Sequence, residues 1–239
     1  MASERCRTFV FAKARLVALA AAMVMAAVAP AGQSSQPVSF KTQDGWTIHG
    51  DLYGTGARGL VLVHGGRFTK ESWRPQIPEF LKAGFRVLAI DMRGFGASKV
   101  GPLALATGFG SPLDVLAAVR ILRSRGVEAV SIVGGSMGAD AAAGASIKAA
   151  PGEIERLVLL AGSAEEPADQ LKGRKLFVCT RDDANAAGLR LPKIRQQYER
   201  ATGPKELIEL EGSAHAQAIF ETPQGPQLLR DILRFLTAQ

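Results

Sequence analysis

Cysteine, histidine and the large aromatics are scarce in this chain. Its 239 residues hold two cysteines, three histidines, two tryptophans and two tyrosines. One cysteine, Cys6, lies in an N-terminal segment built like a secretory signal, which leaves Cys179 alone in the remaining chain. An internal disulfide framework is thereby excluded, and stability has to come from burial. "KLFVCT" around Cys179 reads as a buried strand, with the thiol as core filler. Heptads, fixed-period repeats and low-complexity tracts are missing beyond the N-terminal segment and the polar stretch 32–37. The net charge of +7 and pI near 9.7 come without a basic stripe interleaved with aromatics. A dedicated nucleic-acid surface is therefore not expected. No G-x-G-x-x-G follows a first strand and His64 has no neighbouring ligand pattern, so neither an organic cofactor nor a metal is expected.

What is present begins with a targeting signal. Arg5, Arg7, Lys13 and Arg15 precede the apolar run 16–29 and then "PAGQSSQP". A basic head, a short apolar middle and a small-residue exit are the layout of a secretory signal peptide. Ala29 and Ala31 make an A-x-A site, which places cleavage after Ala31. The run is short against the ~20 apolar residues of a membrane span, although an uncleaved anchor is the alternative reading. The arginines are not adjacent and no cysteine stands at the exit, which argues against twin-arginine export and lipidation. Losing residues 1–31 would leave 208 residues and lower the net charge from +7 to +4. The expected organisation is a signal over 1–31, a linker or N-terminal segment over 32–43, and one domain over 44–239. The expected location is outside the cytoplasm, periplasmic or secreted, with membrane contact only through the signal.

Along that domain, short Val/Ile/Leu-rich runs alternate with segments of helical period. Strands are expected at 46–54, 59–66, 85–91, 127–135, 155–162, 175–180 and 206–212. Helices are expected at 72–84, 111–126, 137–150, about 189–202 and 224–237. In the second of these, Leu113, Leu116, Ala117, Ile121 and Leu122 are expected on one face. Continuous apolar strands alternating with helices predict a mostly parallel sheet covered on both faces. Functional residues should then sit at the carboxyl ends of the strands.

"IVGGSMGAD" (132–140) has that placement. Ser136 directly follows a strand and opens an alanine-rich helix, with Gly134 and Gly138 two positions away on either side. A nucleophile on a strained strand-to-helix turn needs neighbours without side chains. The same turn puts the Met137 amide at a helix N-terminus, where it can bind a developing oxyanion. A serine hydroxyl also needs a base. Of His49, His64 and His215, only His215 lies at a strand's carboxyl end and downstream of the serine. A carboxylate should orient that imidazole. "TRDD" places Asp182 and Asp183 after the intervening strand; Asp183 is favoured, Asp182 is the runner-up, and Glu165, Glu166 or Asp169 remain.

From residue 44 to 239 the chain resembles the α/β-hydrolase fold, in particular its small, lid-poor esterase and dienelactone-hydrolase-like members. The resemblance rests on "LVLVHGG", "AIDMRGFGAS", "VGGSMGAD", "TRDD" and "GSAH" in that order, with the family's chain order Ser136, Asp183, His215. It implies that the Gly66 amide in "HGG" is the second oxyanion donor, with Arg67 close behind, and that Asp91 and Arg93 are structural. Dienelactone hydrolases usually carry cysteine where Ser136 stands, so their substrate does not transfer. Thr180 stands where many relatives have glycine. Many lipases and epoxide hydrolases insert a helical lid where this chain has only the short connection 162–175, so an open pocket is expected. The loop 99–110 is its largest candidate wall, and Phe68, Trp73, Phe95 and Phe109 are candidate lining.

The resulting expectation is a serine hydrolase of carboxylic esters or thioesters of modest size, acting on a small molecule and using no cofactor. Dehalogenase and epoxide hydrolase chemistry needs an acidic nucleophile at the elbow, where this chain has serine. A peptidase or amidase on the same residues and a non-catalytic binding protein of this fold are the alternatives. Oligomeric state is not legible in the sequence.

Overall fold

A computed structural model describes residues 34–99, 111–162 and 166–238. The chain divides into Met1–Gly32 and Gln33–Gln239, and the described residues all belong to the second unit. The expected signal segment and most of the loop 99–110, including Phe109, lie outside them, as does Glu165. Among the described residues no helix is long and apolar enough to cross a membrane.

The strands are β1 (Gln36–Lys41), β2 (Thr47–Tyr53), β3 (Arg58–Val63), β4 (Phe85–Asp91), β5 (Ala129–Gly135), β6 (Arg156–Leu160), β7 (Arg174–Thr180), β8 (Ala184–Asn185), β9 (Gly188–Leu189) and β10 (Lys205–Leu210). Between them run α1 (Ile77–Lys82), α2 (Pro112–Ser124), α3 (Met137–Lys148), α4 (Leu191–Arg200) and α5 (Gly225–Thr237). Eight strands form one sheet in the order β1-β2-β4-β3-β5-β6-β7-β10. β1 and β2 are antiparallel, as are β2 and β4; every other pairing is parallel. β8 and β9 make a separate two-residue hairpin.

Strand alternation explains why the inner strands are apolar throughout. Val61 and Val63 of β3, with Leu88 and Ile90 of β4, face a core closed by α2, α3 and α4. Leu60, Leu62, Val87 and Ala89 face the opposite core, closed by α1 and α5. Period-two side chains on a doubly covered sheet are buried on both faces, which removes any polar alternation.

Four helices begin with proline in the first or second position: α1, α2, α4 and α5. There the missing N–H costs nothing, because no carbonyl awaits it. Ser111 caps α2, its Oγ accepting from the Leu113 amide at 3.1 Å. The helix α3 alone starts without proline, directly from Ser136.

Three expectations need correction. The expected strands begin at residue 46, yet β1 within 32–43 extends the sheet to Gln36, and Phe40 packs into the core. The helix expected over 72–84 is a 3-10 turn at Lys70–Trp73 followed by α1, because Pro75 cannot donate the bond a continuous helix requires. On α2 Leu116, Ala117 and Leu122 are buried as expected, but so are Asp114, Val115, Ala118 and Val119, while Leu113 and Ile121 are only half-buried. The helix packs against both the sheet and α3, so its buried surface is wider than the one expected.

Candidate active site

Strand order reverses at β3: the chain passes outward to β4 and then returns to β5 on the other side. Ligand crevices of open α/β sheets lie beyond the carboxyl ends of the strands at such a point. Ser136 ends β5 there, and Gly65 and Gly66 follow β3.

Ser136 has φ 51° and ψ −118°, a left-handed conformation that side chains rarely adopt. Its amide donates to the Leu160 carbonyl at 2.8 Å, which seats the turn on β6. The flanking glycines are sterically required. A Cβ on Gly134 would strike the Gly138 carbonyl, and one on Gly138 would strike the carbonyls of Val63 and His64. Only two other non-glycine described residues have positive φ: Ala161 (51°), after β6, and Ala216 (50°), next to His215. Ser136 and Ala216 line the same crevice, while Ala161 is buried in the core beside it.

His215 Nε2 lies 2.7 Å from Ser136 Oγ, and its Nδ1 lies 2.7 Å from Asp183 Oδ2. A carboxylate only accepts, so the proton sits on Nδ1 and Nε2 is the acceptor facing the serine hydroxyl. Asp183 is buried while its neighbour Asp182 is exposed. Of the pair, Asp183 is the one against the imidazole; the Asp182 backbone N–H instead donates to the Gly212 carbonyl at 2.9 Å. Asp169 faces Arg200 at 3.9 Å, and Glu166 lines a different cavity behind α3. Thr180 donates its hydroxyl to the Ala214 carbonyl at 2.9 Å, tying the end of β7 to the loop that carries His215.

The peptide between Gly65 and Gly66 is held from both sides. The Gly65 carbonyl accepts from Phe68 N–H at 3.0 Å and from His64 Nδ1 at 2.9 Å. His64 Nε2 in turn accepts the Met92 amide at 3.1 Å, so this imidazole is neutral with its proton on Nδ1. Its burial pushes its pKa below the usual histidine value. In a planar trans peptide the carbonyl and the following N–H point in opposite directions. Anchoring the Gly65 carbonyl therefore turns the Gly66 N–H the other way. Gly66 lines one cavity with Ser136 and His215, and the Met137 sulfur lies 3.8 Å from a Cβ built on it. Among the described residues, loop and cap hydrogen bonds use the amides of Gly65, Phe68, Ser136, Ala139 and Asp140 and leave those of Gly66 and Met137.

Gln217 was not singled out by the sequence. It is buried, its Oε1 accepts the Gly65 amide at 2.7 Å, and its Nε2 donates to Ser72 Oγ at 2.5 Å. It also covers Gly135, where a Cβ would sit 2.9 Å from Oε1. One side chain thus joins the His215 loop to the Gly65–Gly66 loop. A polar residue two positions after His215 was the available signal.

The cavity over these groups measures about 550 Å³ and is lined by Phe68, Asn185, Ser213 and Ala218 among others. Of the other expected lining residues, Trp73 is fully buried, 6.0 Å edge-on to Phe220, and Phe95 stands edge-on to His64 at 5.1 Å. Asp91 accepts the amides of Lys70 (2.9 Å) and Ala97 (3.0 Å), and Arg93 bridges Asp44 (2.6 Å) and Asp114 (2.8 Å). Both hold turns in place, as expected. Cys179 is buried and its thiol is pushed up to about 12, chiefly by desolvation. Among the described residues no group of three His, Cys, Asp or Glu side chains is placed to hold a metal ion.

The model of the alpha/beta hydrolase fold family matches residues 60–205. The chain belongs to the alpha/beta hydrolase fold family. Among the described residues the connection between β6 and β7 carries one 3-10 turn (Ala168–Gln170) where a helical lid would stand. A 2-hydroxy-6-oxononadienedioate/2-hydroxy-6-oxononatrienedioate hydrolase of Burkholderia vietnamiensis is 27% identical over 169 residues, 68% of this chain and 57% of the relative. The chain thus spans little more than half the length of that relative. Epoxide hydrolase B of Mycobacterium tuberculosis is 39% identical over 83 residues, 35% of this chain and 23% of its own. Among solved structures, an esterase of Pyrococcus furiosus superposes with a TM-score of 0.72 at 20% identity, covering 86% of this chain and 92% of its own. An esterase of Exiguobacterium antarcticum gives 0.69 at 14% identity, covering 85% and 100%. At such identities the likeness is one of fold.

Proposed function

We propose that this hydrolase cleaves carboxylic esters or thioesters of modest size through an acyl-enzyme on Ser136. The observation that carries this reading is the hydrogen-bonded row Ser136–His215–Asp183, at 2.7 Å for each link, beside two unengaged amides. His215 Nε2 takes the hydroxyl proton as Ser136 Oγ attacks the carbonyl carbon. The oxyanion is held by the Met137 and Gly66 amides. Asp183 keeps the proton on Nδ1 and stabilises the imidazolium. His215 then protonates the leaving alcohol or thiol. Water, deprotonated by the same nitrogen, releases the acid and restores Ser136.

The relatives named as epoxide hydrolases do not extend their substrate to this chain, because serine occupies the elbow where that chemistry needs a carboxylate. Residues 1–31 are read as an export signal, so the mature enzyme starts at Gly32 and works in the periplasm or outside the cell. Mass determination of the N-terminus after fractionation tests this.

The deciding experiment is labelling with a fluorophosphonate probe followed by turnover across short-chain esters, thioesters and peptides. Stoichiometric labelling lost in Ser136→Ala, together with ester turnover, is expected. A folded protein that is neither labelled nor active would be a binding protein, and cleavage confined to peptides would make it a peptidase.

A further inference from the structure

The cavity beside Ser136 is unevenly charged. Its described lining holds one carboxylate, Asp183, and two guanidinium groups, Arg67 and Arg190. Asp183 is already committed, with Oδ2 at 2.7 Å from His215. Arg67 follows Gly66 directly, is exposed, and has no carboxylate partner among the described residues. Arg190 lines the same cavity. Its Nε stands 3.3 Å from Asp183 Oδ1 without hydrogen-bond geometry, and it is a buried nitrogen with no hydrogen-bond partner. Its backbone N–H donates to the Asp183 carbonyl at 2.8 Å, so the residue is anchored by its main chain. Its side chain is partly exposed where it lines the cavity.

Buried or half-buried guanidinium donors without acceptors are costly unless an anion meets them, and their planar fork matches a carboxylate. A cleft of one sign also raises the local concentration of oppositely charged ligand. We propose that the substrate of this site is an ester bearing a free carboxylate, received by Arg67 and Arg190 while its ester carbonyl lies against Ser136. This rests on the serine hydrolase reading and adds the substrate class to it. Asp183 keeps its contact with His215 in the complex, because the substrate carboxylate takes guanidinium nitrogens other than the Nε beside Asp183. The cleavage itself is unchanged: water adds across the acyl–oxygen bond, giving an acid and an alcohol.

The test uses two matched pairs: mono-p-nitrophenyl glutarate against p-nitrophenyl pentanoate, and p-acetoxybenzoate against its methyl ester. One pair puts the carboxylate on the acyl side and the other on the leaving side. At low salt, kcat/KM for the acidic member of at least one pair should exceed its neutral partner by about tenfold or more. Added salt should shrink the ratio. Arg67→Glu should reverse it, and Arg190→Gln should bring it toward one. Arg67 is on an exposed turn, so its variant keeps the test open if Arg190→Gln does not fold. Equal or inverted ratios in both pairs overturn the proposal, as does a preference that survives both variants. Fluorophosphonate labelling keeps the two readings apart. A labelled enzyme without acid preference overturns this proposal alone; an unlabelled one that cleaves no ester overturns both.

Discussion

Gln217 holds the Gly65–Gly66 loop with an acceptor toward the Gly65 amide and a donor toward Ser72, and no apolar side chain can do both. Methionine keeps its length and loses both bonds. In Gln217→Met the Gly65 amide is left without its 2.7 Å partner, and the loop carrying the Gly66 N–H loses its tie to the His215 loop and to Ser72. Removing an oxyanion donor outright costs ~10²–10³ in kcat; misdirecting one should cost at least about tenfold, with KM little changed. Steady-state kinetics on a p-nitrophenyl ester measure this, and an unaltered kcat would mean the strap is dispensable. The two aspartates separate as sharply. Asp183→Asn should reduce kcat by about 10⁴-fold, the loss seen in serine proteases when the wrong tautomer is imposed. Asp182→Asn should leave kcat within about twofold, since its exposed carboxylate touches neither His215 nor Ser136 and surface changes cost at most ~0.5 kcal/mol.

At the scale of elements, the elbow is where a strand, a helix and a loop come closer than side chains allow. Gly138 is pressed against the carbonyls that end β3, and Gly134 against Gly138 itself. Backbone on both sides cannot move aside as a flexible side chain could. Gly138→Ala is therefore expected to melt well below the parent or to accumulate as insoluble protein, visible in expression yield and thermal unfolding. The opposite expectation holds at Gly126, whose φ is +82° but around which a Cβ meets nothing within 4 Å. Gly126→Ala should cost only the backbone strain, on the order of 1 kcal/mol.

At the scale of the molecule, His64 links stability to pH. Its pKa is lowered by burial, so below about pH 6.5 the unfolded chain takes up a proton that the folded chain refuses. Its contribution to stability is whole above the unfolded value and is lost as pH falls through the window down to the lowered folded value. The slope there can reach about 1.4 kcal/mol per pH unit. Denaturant unfolding from neutral to mildly acid pH should show this slope, and His64→Asn should flatten it. β1 supplies a second, separable contribution at the edge of the sheet. Phe40→Ala removes a buried ring from the core there and should cost about 3 kcal/mol in denaturant midpoint. Activity per folded molecule should persist, since β2 and β4 stand between β1 and the strand that carries the oxyanion loop.

Much of this was legible in the residue pattern because each signal is local. Continuous apolar runs name buried strands wherever a sheet is covered on both faces, and glycines spaced about Ser136 name a turn that only glycine tolerates. His215 stood out because so few histidines compete with it. β1 escaped because "QPVSFK" is polar and half-exposed, and an edge strand is defined by its neighbour as much as by its own residues. Asp183 was favoured over Asp182 by the sequence, but its contact with His215, the clamp by Gln217, the neutral role of His64 and the pairing of Arg190 with Asp183 belonged to the tertiary structure alone. Each depends on where a side chain ends in space relative to a residue far along the chain, and one-residue shifts in a loop reverse its direction. The sequence by itself determined the sheet, the elbow and the kinds of group at the site; packing decided which of them face one another.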